Sequence, residues 1–149
     1  MANLVEQIND AITSIVATEV GTGYSELAYI WDINKNTFNG TQKRYGVKPG
    51  AISTSISITK HYTAEQEFII TLTDSFNDRD GDSGSRASIF TIYDKLDLIL
   101  KAIINQKAGL PGIVFNFPSY DIPEIEIDEE QKIIILNASI SVMYRQALN

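Results

Sequence analysis

Three groups of side chains have the types and spacing that chemistry would need. The first is Asp78-Arg79-Asp80-Gly81-Asp82-Ser83-Gly84, with carboxylates at alternate positions as in a calcium loop. An EF-hand loop needs glycine at its sixth position and a bidentate glutamate at its twelfth. Counted from Asp78 those positions hold Ser83 and Ile89, and no helical pattern precedes them. The segment therefore reads as a flexible acidic connection, with Ser83 or Ser85 capping the helix that follows and the carboxylates suiting its positive end. The second group centres on His61, the one histidine in the chain. A Ser-His-Asp arrangement needs a nucleophile presented on a sharp turn, and no Gly-x-Ser-x-Gly elbow is present. The third is Asp128-Glu129-Glu130, three consecutive carboxylates in a polar turn, where solvation is the ordinary fate.

With no cysteine, disulfides and thiolate metal sites are excluded, and a single histidine supports no other metal centre. No Gly-x-Gly-x-x-Gly or phosphate loop occurs. No constellation carries catalysis or calls for a cofactor, so the chain reads as a protein that acts by contact.

The elements that must present those contacts can be read from periodicity. Leu4, Ile8, Ile12, Ile15 and Val16 recur at helical spacing over residues 3–19, with Asn3 placed to cap and Glu6 three residues on; Gly21 and Gly23 mark the end. Residues 26–33 alternate Leu27, Tyr29, Trp31 and Ile33 with Ala28 and Ile30, which predicts a short strand apolar on both faces. Residues 34–46 show no period and read as a long loop carrying Lys43, Arg44 and Tyr45. Lys48-Pro49-Gly50 reads as a turn, and 51–60 as a strand with an isoleucine face and a hydroxyl face. Phe68 to Asp74 is a further strand. From Ser88 the period lengthens, and Ile89, Ile92, Tyr93, Leu96, Ile99, Leu100, Ile103 and Ile104 draw a stripe down the longest helix, which Gly109 and Pro111 end. A strand over 112–117 and a hairpin joining Ile125 and Ile127 to a long arm from Ile133 to Tyr144 complete the chain. The expected fold is α+β, a single domain with a mainly antiparallel sheet and two amphipathic helices packed on one face.

A chain of 149 residues, 44% of them apolar, can build one core without staples. It has no basic-then-apolar leader and no apolar run of 18 residues, and so reads as soluble, with no membrane partner. A net charge of −7 argues against a surface that holds nucleic acid by neutralising phosphates, and it suits a surface past which a polyanion moves without adhering.

The segments "HYTAEQEFIITLTDSF", "ASIFTIYDKLDLILKAI" and "IPEIEIDEEQKIIILNASISVMYR", with the amphipathic helix ahead of them, together resemble bacteriophage tail terminator (tail completion) proteins from about Leu4 to Arg145. The resemblance implies a virion protein without enzymatic activity, made in the host cytoplasm. Six copies would ring the end of the tail tube, stop its growth and meet the head-completion or neck protein, with DNA passing through unbound. A domain this long has a diameter near ~38 Å, and six in a ring leave a hole of similar width. On this reading Asp78, Asp80, Asp82, Asp128, Glu129 and Glu130 face the lumen or a ring surface, and Trp31, Lys43, Arg44 and Tyr45 lie at interfaces, the 34–46 loop ordered by a neighbour. A neck adaptor between head and tail is the alternative; a ligand-binding domain with a pocket under the second helix is a third.

Overall fold

In the computed structural model the described residues are 3–38, 42–56, 61–76, 81–106, 113–114, 119–120 and 123–147. Helix α1 (Leu4–Val20) starts where Asn3 Oδ1 accepts the Glu6 N–H at 2.8 Å, so the cap read from the sequence is made. It stops at Gly21, whose φ of 86° is left-handed backbone that a side chain would strain. One stripe, Ile8, Ile12, Ile15, Val16 and Val20, is buried.

The sheet is built from β1 (Ser25–Glu26), β2 (Arg44–Ile56), β3 (His61–Ser75), β4 (Ile113–Val114), β5 (Ser119–Tyr120), β6 (Glu124–Asp128) and β7 (Ile133–Ala147). Its order is β1-β2-β3-β7, and β4, β5 and β6 follow one another along the far side of β7 as an interrupted edge. Among the described residues every pairing is antiparallel except the two-residue β1 on β2. Helix α2 (Gly81–Gln106) lies beside α1 on one face. Under the helices, Phe68, Ile70 and Leu72 of β3 and Ile134, Leu136, Ala138, Ile140, Val142 and Tyr144 of β7 join Ile92, Leu96, Ile99 and Ile103 in the main core. The α+β class, the antiparallel bias and the helices on one face are as the sequence implies.

Four expectations fail, each for a tertiary reason. Residues 26–33 are not a strand beyond Glu26. After Leu27 donates its N–H to Tyr45 O at 2.8 Å, the chain leaves the edge and folds over the uncovered face. There Leu27 and Phe38, backed by Ile30 and Ile33, cover Ile133 and Ile135 in a second small core, while Tyr29 and Trp31 stay outside. Alternation was present, but irregularly spaced residues do the burying. The expected 34–46 loop also divides, since Ile33–Lys35 form a 3-10 turn and Arg44, Tyr45 and Gly46 belong to β2.

Lys48-Pro49-Gly50 is no turn either, because β2 runs through it. On the sheet's outer strand Pro49 forgoes no ladder bond, and the strand bulges between Pro49 and Ile52. Gln66, buried, donates from Nε2 to Gly50 O (3.1 Å) and Ala51 O (3.3 Å) and so takes up the bulge carbonyls. Lastly, α2 begins at Gly81, so Ser83 and Ser85 are inside the helix and not its caps. Gly84 is buried there and Ser88 Oγ returns a hydrogen bond to its carbonyl at 3.0 Å, so packing overrides the weak helix propensity of this stretch.

Candidate functional site: the uncovered sheet face and its two edges

Strand alternation sends Lys48, Ile69, Thr71, Ile135 and Asn137 to the face opposite the helices, together with Glu124 and Glu126. The folded-over 27–38 segment walls this face, leaving a groove of about 390 Å³ floored by Ile69, Thr71, Ile135 and Asn137 and flanked by Ile30, Trp31 and Ile33. Thr71 Oγ1 donates to Asn137 Oδ1 at 2.7 Å across the floor. Register partners run straight across the sheet from Arg44 of β2 through Thr73 and Ile135 to Glu126 of β6, a cation on one strand and a carboxylate on the other, roughly 14 Å apart.

Asn36 holds the wall in place. Its side chain is buried; Oδ1 accepts the Tyr29 N–H at 3.0 Å, and Nδ2 donates to Tyr29 O at 2.9 Å and Ile33 O at 3.1 Å. Gly46 completes the fit, because a Cβ there would collide with the Ile30 side chain. Trp31 is thereby held out at 69% exposure with the Lys48 ammonium 5.8 Å from its ring centre. An open aromatic paired with a cation beside an apolar floor has the composition that protein interfaces favour.

Of the other interface candidates, Lys43 is exposed beside the Tyr24 ring at 5.9 Å and Arg44 lies 5.7 Å from the Phe38 ring. Tyr45 is half-buried against the main core, so its contacts are largely internal. At the opposite edge Asp128 is the turn's own clamp. It accepts the N–H groups of Glu130 and Gln131 at 3.1 Å each and the Gln131 amide at 3.1 Å, and the Gln131 bonds hold its carboxyl below the usual range. Glu129 and Glu130 are exposed in that turn. Asp82 sits in the first turn of α2, and Asp78 and Asp80 lie outside the described residues. The structure therefore gathers Trp31 with the basic β2 edge, and sets Glu129 and Glu130 at the far edge.

Sequence reasoning passed over Tyr24 and Asp74. The Tyr24 hydroxyl donates to Asp74 Oδ2 at 2.6 Å, and Asp74, at the end of β3, is buried. Burial first, then the bond and the charge of Asp74, push the Tyr24 hydroxyl well above its ordinary range. Lys95 of α2 lies 5.9 Å from the same ring and reaches Val20 O at 3.4 Å, so this node ties the ends of α1 and β3 to α2. A shallow space of about 230 Å³ beside it is lined by Lys43, Asp74, Ser75, Gly84, Ala87, Ser88 and Thr91. Within it Ser75 Oγ donates to Asp74 Oδ1 at 3.4 Å, and among the described residues no group of three or more His, Asp or Glu could hold a metal. No described helix is long and apolar enough to cross a membrane.

No family model and no curated protein matches the sequence. The fold does have solved counterparts. A chain of the virion of a native gene transfer agent particle superposes with a TM-score of 0.61 at 12% identity, over 98% of this chain and 100% of that one.

Proposed function

We propose that this chain is a structural protein of a phage-like particle, and within it the tail terminator, a subunit that rings the end of the tail tube, ends its growth and offers its other side to the neck. The observation that carries the reading is the superposition, over 98% of this chain and 100% of the other, with a chain of a virion particle. The surfaces agree with it. They offer an exposed tryptophan, a groove and two oppositely charged edges. Glu65, Glu67, Glu124 and Glu126 occupy the sheet face that no helix covers. Turned toward the ring axis, that face repels passing DNA.

The test is to add the purified protein to growing tail tubes and measure tube lengths by negative-stain microscopy. Tubes capped at one end, with growth halted, support the terminator. Binding to portal-bearing heads while tubes keep lengthening assigns the chain to the neck instead, and binding to neither refutes the structural role.

A further inference from the structure

The sheet has two outer edges, and they differ in sign. On β2 the first part of the edge is occupied. Ser25 and Leu27 donate to Lys43 O and Tyr45 O, Asn9 donates to Val47 O at 3.3 Å, Pro49 has no N–H, and the bulge carbonyls are held by Gln66. Those bonds show residues 43, 45 and 47 pointing outward; the bulge shifts the alternation, so beyond it 52, 54 and 56 turn their main-chain groups outward. No described strand covers 52–56. On the other side β6 bonds β7 through 124, 126 and 128, leaving 125 and 127 outward, again uncovered among the described residues. Each free stretch is five residues long.

Each also carries an exposed isoleucine on the helix side of the sheet: Ile52, register partner of Gln66, at 53%, and Ile127, register partner of Ile134, at 39%. The charges near them are opposite in sign. Lys43, Arg44 and Lys48 line β2, and Glu124, Glu126, Glu129 and Glu130 line β6 and its turn.

Resting on the assembling role proposed above, we infer that these edges are the two halves of one interface, β6 of one copy adding as a strand to residues 52–56 of the next. The strand positions β2, β3, β7 and β6 alternate in direction, so copies related by rotation continue the sheet antiparallel. Opposing Ile52 to Ile127 in that pairing joins the two exposed apolar side chains and carries the 128–131 turn past the bulge, with Glu129 and Glu130 toward Lys48 of the neighbour. Pairing like edges instead, β2 on β2 or β6 on β6, would set lysine against lysine or glutamate against glutamate. A contact between unlike edges is heterologous, and heterologous contacts that close form rings. It also buries the exposed strand edges that would otherwise template aggregation.

The test uses two full-length variants followed by native mass spectrometry. Lys48→Glu sets a carboxylate against Glu129 and Glu130 of the neighbour; Glu129→Lys with Glu130→Lys sets ammonium groups against Lys48. Each alone should need more than about tenfold higher concentration to assemble, because attraction at every interface becomes repulsion. Mixed in equal amounts they should assemble again, with equal numbers of each per ring, since only alternation pairs unlike charges. Thr54→Pro, which removes an outward N–H without touching charge, should weaken assembly both alone and when built into the mixture. Wild-type rings with both variants assembling as readily, or a mixture that stays apart or combines at random, would overturn the edge assignment alone. A wild-type chain that stays single with and without tail tubes would remove the assembling role, and this interface with it.

Discussion

Replacing Asn36 with alanine should loosen one part of the molecule and leave the rest standing. Its amide makes three short bonds to the main chain of the 27–38 segment, at 3.0, 2.9 and 3.1 Å. At about 1 kcal/mol net for each, with part of the exposed loop backbone rehydrated when they are lost, the cost is about 2–3 kcal/mol. That falls on the small core of Leu27, Phe38, Ile133 and Ile135, which is separate from the main core under the helices. Hydrogen exchange should therefore accelerate by roughly 30- to 150-fold at Tyr29 and its neighbours, following RT ln K for that cost. Amides of β3 under α2 should hardly change. Asn36→Asp should be worse, since it keeps the acceptor but sets a carboxylate against the Tyr29 and Ile33 carbonyls. Exchange at 29–36 left unchanged by Asn36→Ala would refute the reasoning, and with it the claim that this side chain positions Trp31 and the groove wall.

Gly46→Val should cost about 1–3 kcal/mol through its collision with Ile30, and Ile30→Ala in the same chain should return part of it in chemical denaturation, as overpacking relieved by a smaller neighbour does. Tyr24→Phe should cost about 1–3 kcal/mol by leaving the buried Asp74 without its hydroxyl donor. The pH dependence has a definite sign. Because folding raises the Tyr24 pKa above its unfolded value of about 10, its contribution is constant below pH ~10 and falls as pH rises through the folded value; the Phe variant should lack that alkaline decline in thermal melts. Gln66→Leu should leave the Gly50 and Ala51 carbonyls unsatisfied at the bulge, destabilise by about 1–3 kcal/mol, and speed exchange in the 50–56 arm more than in α1.

Elements whose signals are local were legible. Asn3 and Gly21 bound α1 because a cap is a two- or three-residue device, and the stripe of α2 and the 124–144 hairpin follow from a period sustained over many residues. What escaped depends on neighbours distant in sequence. Pro49 and Gly50 look like a turn until β3 supplies Gln66 to hold the bulge, and 81–84 looks like a loop until Gly84 is packed beside the end of β3. Residues 26–33 alternate like a strand, yet Asn36 and the isoleucines of β7 fold them across the sheet. The proposed contact surface was half visible, in Trp31 and the charge runs. Its arrangement was not, because which charges share an edge is decided by strand order.

The most direct measurement is the mass and position of the assembled particle, read by native mass spectrometry of the purified chain and by microscopy of the same chain beside tail tubes. The account predicts a six-copy ring seated at one tube end. A chain that remains single beside tubes at high concentration, with neither a ring nor a capped end, would contradict it.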